Sequence, residues 1–283
     1  MLNIKNITDL RQLYRYQLNF PSPQFLPADF ESWKTSFLED VDGEGRTLFA
    51  TLRGKVAWDN DRPVGFIQYG RTAFGFDEHG EISHKVHYCV IRSLYFDEGR
   101  PDAGRLLLQE AMAEFAEENT VYAFFHYFGM SCFGRHGKLF EGFPWIRALL
   151  EEFDFTVEHE NVYYCAALDG SEPTEATVVA QGMTPGGEQT FDLLLDGTQV
   201  GGCAVHYPPV PGCAYLRWIY INGEIQNRGI GSQCMAALKK WLHDRGITRL
   251  DTDTALNNLQ AQRYYEKNAF ARRGITRSYY RIR

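Results

Sequence analysis

A chain of 283 residues that is 44% hydrophobic holds enough apolar material for one large core or two ordinary ones. It contains no uninterrupted apolar run of about 18 residues and no basic-then-apolar leader, so it is expected to be cytoplasmic with no membrane partner; a net charge of −7 argues against nucleic-acid binding and favours a neutral or cationic small partner. Six cysteines, at 89, 132, 165, 203, 213 and 234, form no C-x-x-C pair, so neither a zinc site nor a disulfide framework is expected and the thiols read as reduced core residues.

The first half opens with a short strand pattern, Leu2 to Ile7, and then Thr8-Asp9 begins an amphipathic segment through Leu18. A second helical candidate covers about residues 27–37. Strand-like runs follow at Thr47 to Ala57, Val64 to Tyr69 and His87 to Phe96, separated by polar, turn-forming stretches. Leu106, Leu107, Ala111, Met112 and Phe115 recur at helical spacing, and Val121 to Phe128 reads as an apolar strand. A helix around Trp145 to Phe153 and a strand around Val162 to Leu168 complete this half. Residues 169–175, Asp-Gly-Ser-Glu-Pro-Thr-Glu, are polar and turn-rich and read as a linker.

The second half begins with strand patterns at Thr177 to Ala180, Thr190 to Leu195 and Thr198 to Tyr207, the last two joined by an Asp196-Gly197 hairpin turn. The segment from Gln181 to Gly187 reads as a loop. Cys213 to Ile221 is a strand that runs into Gln226-Asn-Arg-Gly229-Ile-Gly231-Ser232. The helix after it places Ile230, Cys234, Met235, Leu238, Trp241 and Leu242 on one stripe and stops near Arg245-Gly246, as a glycine cap would stop it. Thr248 to Thr254 is then a strand, Asn258 to Asn268 a helix, and Phe270 to Ile282 a strand or a tight hairpin.

A strand, a glycine turn and a helix N-terminus together make an anion site. Successive backbone N–H groups converge, glycine permits close approach and positive φ, and the helix dipole adds positive charge, so a phosphate or pyrophosphate fits. Downstream, Asn258-x-x-Ala261-x-x-x-Tyr265-Glu-Lys267-x-x-Phe270 lies where a second, closing helix belongs. The two segments resemble motif A (Gln/Arg-x-x-Gly-x-Gly/Ala) and motif B (Asn-x-x-Ala-x-x-x-Tyr-x-Lys-x-Gly-Phe) of the GCN5-related N-acetyltransferases, the GNAT superfamily. The chain departs from them by Ala269, where glycine is usual.

That resemblance implies an α/β (mixed α+β) fold of two tandem acyl-CoA N-acyltransferase domains, each a mostly antiparallel central sheet with helices on both faces. The domains would be residues 1–168, degenerate, and 176–283, catalytic and short of the two early helices that usually wall the acceptor site; the first domain, including Tyr122 to Phe143, would supply part of that pocket. It also implies acetyl-CoA as acyl donor, no metal, and a small-molecule amine that attacks the thioester directly, in a monomer or homodimer. The backbone N–H groups of Gln226, Asn227, Arg228, Gly229, Ile230, Gly231 and Ser232 would hold the coenzyme pyrophosphate, and the backbone of Ile219 and Ile221 the pantetheine arm. Tyr265 matches the family's general acid, and Asn258 the motif asparagine that contacts coenzyme or an ordered water. The layout is also similar to that of the mycothiol synthases, although no motif marks a thiol-sugar acceptor.

The general base is open. The strand before the glycine turn, Tyr215-Leu-Arg-Trp218-Ile, has no carboxylate. Asp251 and Asp253 alternate along the next strand and face one side, so either could hold or deprotonate an amine; Glu224 and a water chain are further choices. Each residue also has a plainer reading: Tyr265 as helix-face packing, Asn258 as a helix cap, the aspartates as a solvated strand end. Two rival functions remain beside small-molecule acetylation, namely a non-catalytic acyl-CoA-binding or regulatory protein and a protein or peptide lysine acetyltransferase.

The halves read as repeats of one unit. Leu94-Tyr95-Phe96 mirrors Ile219-Tyr220-Ile221, and carrying that pairing on without a gap sets Pro101 on Gln226, Gly104 on Gly229 and Leu106 on Gly231. Likewise Leu150 replaces Tyr265 and Phe143 replaces Asn258. The first half is therefore expected to keep the fold without the chemistry.

Overall fold

The structure, a computed structural model, describes residues 2–26, 28–38, 41–133, 137–171, 173–226 and 228–283. The chain divides into two compact units. One consists of Met1–Asp40, Thr47–Glu160 and Thr276–Arg283, the other of Val41–Arg46 and Asn161–Ile275.

The first unit contains, in order, β1 (Leu2–Asn6), α1 (Leu10–Gln17), α2 (Phe30–Leu38), β2 (Phe49–Asp59), β3 (Arg62–Thr72), the short β4 (Gly75–Phe76) and β5 (Ile82–Ser83), β6 (Cys89–Phe96), α3 (Pro101–Glu114), β7 (Thr120–Ala123), β8 (Leu139–Phe140), α4 (Pro144–Glu152) and the start of β9 (Thr156–Ala167). Strands β1, β2, β3 and β6 pair antiparallel in that order, and β6 pairs parallel with β7. Beyond β7 the sheet continues through residues 279–282 of the last strand, whose residues 276 and 277 pair with β8. Asp9 caps α1 by accepting from the Gln12 N–H at 2.9 Å, which satisfies an amide that the first helical turn leaves unpaired.

Alternation along β3 sends its side chains to two faces. On one, Phe66 packs against Tyr16 of α1 and Phe37 of α2, and Gln68 donates to the Phe37 carbonyl at 2.6 Å. On the other, Gly65 lies beside Leu107 of α3, and Tyr69 meets Phe115 edge to face. The apolar run 121–128 is a strand only through Ala123. Phe124 has φ 54, which ends extended backbone, and a 3-10 turn over His126–Phe128 follows. Its apolar content reflects rings buried from a turn: Phe124, Phe125 and Phe128 are at most 5% exposed.

The second unit takes up the rest of β9, then β10 (Thr177–Met183), β11 (Glu188–Leu195), β12 (Thr198–His206), β13 (Cys213–Ile221), α5 (Ile230–His243), β14 (Arg249–Ala255), α6 (Leu259–Lys267) and the start of β15 (Ala271–Ile282). Strands β10 to β13 pair antiparallel in order, β13 pairs parallel with β14, and β14 pairs antiparallel with residues 161–167 of β9. Asp196 and Gly197 both have positive φ, 49 and 74, as the primed two-residue hairpin requires. The segment expected as a loop from Gln181 is strand as far as Met183. Among the described residues no helix lies between β10 and β13. Helices α5 and α6 share one core, in which Cys234, Met235, Leu238 and Leu242 of α5 and Tyr265 of α6 pack with Cys203, Leu216 and Leu250 of the sheet.

Residues 41–46 lie within the second unit although they come early in the sequence. Gly43 O accepts from the Thr184 hydroxyl and, at 3.1 Å, from the Gly186 N–H. Gly186 has to be glycine, because a Cβ there would stand 1.9 Å from Asp42 O. The chain changes unit within two strands. Strand β9 leaves the first unit after Glu160, and β15, one continuous strand and not a hairpin, enters it at Thr276. Residues 169–175, expected as a linker, lie inside the second unit. No disulfide joins the cysteines, and no helix is long and apolar enough to cross a membrane, among the described residues.

Candidate active site

Parallel strands β13 and β14 pair over three positions only, Cys213–Tyr215 with Arg249–Asp251. Beyond that, β13 runs on to Ile221 and β14 to Ala255 without pairing to each other. The parting is built into the neighbouring ladder. On the β12 side Ala204 pairs with Trp218 and Val205 with Leu216, so Arg217 is an extra residue, a bulge that bends and twists the strand. At the fork the Thr252 hydroxyl donates to Leu216 O at 3.0 Å, where a backbone amide would otherwise continue the ladder.

The open side of β13 forms part of a cleft of about 820 Å³. Of the residues predicted to bind coenzyme, Ile219, Ile221, Gln226, Gly229, Gly231, Ser232, Asn258 and Tyr265 line it; Arg228 and Ile230 do not, and Asn227 lies outside the described residues. The cleft is also lined by Tyr220, Gln260, Ala261, Arg263, Tyr264 and Lys267. All but Tyr220 belong to α6, and Ala261 and Lys267 among them are motif positions.

Gly229 is the N-cap of α5 with φ 82 and ψ −10. Nothing lies within 4 Å of where its Cβ would be, so glycine is needed there for its backbone conformation and not for room. Gly231 differs. A Cβ there would stand 3.1 Å from the Tyr264 ring and 3.5 Å from Ile221, and Tyr264 donates to Gly231 O at 2.7 Å. The predicted run of phosphate-binding amides is narrower than its sequence. Gln226 N–H is committed to Gly223 O at 3.3 Å and Ser232 N–H to Gly229 O at 3.0 Å, whereas the N–H groups of Ile230 and Gly231 make no hydrogen bond among the described residues. The first turn of α5 carries no acidic side chain to compete for them. The Gln226 side chain closes the turn from outside by donating to Ile221 O at 2.8 Å.

Tyr265 projects from α6 to the fork and is 6% exposed. Its ring packs on Tyr164, at 5.6 Å, and on Phe270, at 5.4 Å. Burial raises its pKa above the usual 10.0, against a hydrogen bond with Thr252 that pulls it down, so the hydroxyl keeps its proton at neutral pH. Asn258 is the N-cap of α6, accepting from Ala261 N–H at 3.1 Å. Its side-chain oxygen is therefore occupied, and its place on the cleft wall rests on the rest of the residue. Ala269, at the motif's glycine position, has φ 61, the left-handed conformation in which glycine costs least.

The two aspartates face the side of the sheet away from α5 and α6, as their alternation predicts, but their surroundings differ. Asp251 is 1% exposed. It is ion-paired to Arg249 at 2.7 Å and accepts from Tyr163 Oη at 2.7 Å, so its lone pairs are taken by structural partners. Asp253 lies past the fork and accepts from Tyr215 Oη at 2.8 Å. Glu224 is exposed in a short 3-10 turn. Trp218 and Tyr220 point to the same face as Asp253, stacked at 5.9 Å and 26° and exposed by 44% and 51%. Neither Thr252 nor this aromatic pair carries a spacing signal that sequence could reveal.

Parallel strands that part beside a glycine-capped helix, with a tyrosine at the fork, define the acyl-CoA N-acyltransferase fold, and the comparisons agree. Residues 143–270 match the model of the Acetyltransferase (GNAT) family. The matched segment is 128 of the chain's 283 residues and contains both the glycine turn and the Asn258 to Phe270 motif. Aminoglycoside N(6')-acetyltransferase type 1 of Salmonella typhimurium is 24% identical over 88 residues, 29% of this chain, and the match spans 61% of that relative's length. Among solved structures, a tandem GNAT protein from the clavulanic acid biosynthesis pathway superposes with TM-score 0.67 at 12% identity, covering 100% of this chain and 98% of the other. A GCN5-related N-acetyltransferase from Sphaerobacter thermophilus gives 0.61 at 11% identity, covering 99% and 95%. A glucosamine N-acetyltransferase region of a fungal multi-domain β-N-acetylglucosaminidase gives 0.63 at 10%, covering 99% of this chain and 38% of that one.

Proposed function

We propose that this protein transfers the acetyl group of acetyl-CoA to the amine of a small molecule, at a single active site in the second unit. The observation that carries the reading is the fork itself: β13 and β14 cease pairing after Tyr215 and Asp251, and Tyr265 stands at the opening with its hydroxyl held protonated.

The residues present suit acetyl-CoA. The N–H groups of Ile230 and Gly231, at a helix N-terminus without acidic side chains, suit the pyrophosphate. The unpaired edge of β13 from Ile219 to Ile221 suits the amide-bearing pantetheine arm. Acetyl-CoA supplies an activated acetyl group. Tyr265 Oη holds a proton beside the fork, where a departing thiolate requires one. Thr252 orients that hydroxyl and ties the fork to Leu216.

On the opposite face, Asp253 is the carboxylate that suits holding the incoming ammonium and, directly or through a water, receiving its proton. Asp251 does not suit that role, because protonating it would break a buried ion pair with Arg249. The stacked Trp218 and Tyr220 offer a flat apolar shelf for the body of the acceptor, with a cation–π contribution to its charge. Thiol release from acetyl-CoA, followed with the full chain over a panel of small amines, tests the reading. Turnover on at least one amine is expected. Saturable acetyl-CoA binding with no turnover on any amine would contradict it and leave a binding protein.

A further inference from the structure

The first unit contains a polar cluster that acetyl transfer does not use. His126 opens the 3-10 turn after β7, and Glu158 and His159 are neighbours in β9. One nitrogen or carboxylate oxygen from each lies within 4.8 Å of the others. His159 Nε2 is 3.9 Å from Glu158 Oε1, and the two imidazoles meet edge to face at 4.7 Å.

A histidine–glutamate ion pair alone does not account for this arrangement, because it engages Glu158 Oε1, at 3.9 Å, and leaves Oε2 enclosed without a hydrogen-bond partner among the described residues. A dry, unpartnered carboxylate oxygen is costly unless a cation compensates it. Two imidazoles and a carboxylate are a donor set for a divalent transition metal. Metal bonds of about 2.0–2.2 Å would require the three donors to draw in by roughly 1 Å, and His159, whose side chain is 53% exposed, has room to turn.

We propose that His126, Glu158 and His159 bind one divalent transition-metal ion of the zinc type, which clips the His126 turn to β9. The fourth position is left to water, and no step of acetyl transfer passes through it. The site would tie the turn that follows β7 to the start of β9.

Calorimetric titration of the metal-free full chain with Zn²⁺ tests this, alongside the visible spectrum of the Co²⁺ form. One equivalent should bind, and the Co²⁺ spectrum should report nitrogen and oxygen donors without sulfur. Glu158→Gln, which keeps the shape, and His159→Ala, at an exposed side chain that cannot upset the core, should each weaken Zn²⁺ by more than about tenfold, since even outer-sphere partners of metal ligands contribute that much. Acetyl-CoA affinity should not change in either. Absence of binding, a sulfur-ligated spectrum, or Zn²⁺ affinity untouched in both variants would each overturn the proposal.

Discussion

The two units carry the same succession of strand, turn, helix, strand and helix, and they diverge at the points where, on the proposed reading, a coenzyme touches the second. Gly104 of α3 and Gly231 of α5 are structural counterparts. A Cβ on the first would meet Phe96 and Leu149, and on the second Ile221 and Tyr264, which are the equivalent neighbours in the two units. Both units thus keep the close-packed glycine. Only the second has the glycine of positive φ: at the position of Gly229 the first unit has Asp102, a carboxylate in the opening turn of a helix that begins with Pro101. Four residues, 97–100, separate β6 from α3, against eight, 222–229, between β13 and α5.

The fork is also treated differently. In the first unit the parallel ladder is extended by Phe124 N–H donating to Ile91 O at 2.8 Å, and the space beyond it is filled by Tyr95 packed on Phe20, Phe124 and Phe143. The bulge residue Arg92 is buried and donates to the carbonyls of Ser36, Phe128 and Gly129. Its counterpart Arg217 pairs with Glu188, at 3.5 Å, and with no backbone carbonyl among the described residues. Leu150 and Phe143 stand where Tyr265 and Asn258 stand, which the matching helix ends confirm: Phe155 N–H bonds Leu150 O and Phe270 N–H bonds Tyr265 O, both at 3.0 Å. One fold serves as a packed body in one half and, on the proposed reading, as a binding cleft in the other.

The largest expected effect comes from giving the second unit the first unit's carboxylate. Gly229→Asp should weaken acetyl-CoA binding by about 100-fold or more, the equivalent of losing two charge-assisted hydrogen bonds. Gly229→Asn, which tolerates positive φ as well but carries no charge, should lose less. If both bind as wild type, the anion-binding turn is not where it is placed.

Next, Tyr265→Phe should lower kcat by about 100-fold, the scale of a general acid, with little change in the KM for acetyl-CoA. Because burial raises the Tyr265 pKa, its acidic form persists through pH 10.0 and is lost only above it. The kcat profile should therefore show no falling limb from this group below that pH, and a tyrosine-dependent fall at pH 8 would contradict the assignment. In the first unit, Gly104→Ala should cost about 1–3 kcal/mol in denaturant unfolding, since its Cβ would stand 2.6 Å from the Phe96 ring, while acetyl-CoA affinity stays as it was. The smallest effect is Ala269→Gly, expected to stabilise the protein by about 0.5–1 kcal/mol by relieving a left-handed alanine; a loss of stability would show that the strain is absent.

That the motif residues come together was legible in the sequence because short-range spacing ties each set to one turn or one helix. Gly229, Gly231, Asn258 and Tyr265 all line one cleft, as the separation of the two motifs implies. What local spacing does not carry was lost. The gap-free comparison set Gly104 against Gly229, two positions from its structural counterpart, because the first unit's turn is shorter. The aromatic run after Val121 looked like a strand since apolar content without period does not distinguish a strand from a buried turn. The passage of β9 and β15 between units depends on which distant strand each one meets, and neither the Thr252 hydroxyl nor the Trp218–Tyr220 pair belongs to any pattern shorter than the fold.

The claim that one unit binds and the other does not is tested most directly by the stoichiometry of acetyl-CoA binding to the full chain in a calorimetric titration. One equivalent per chain, abolished by Gly229→Asp and untouched by Gly104→Ala, is the predicted result. Two equivalents, or one equivalent that survives Gly229→Asp, would contradict it.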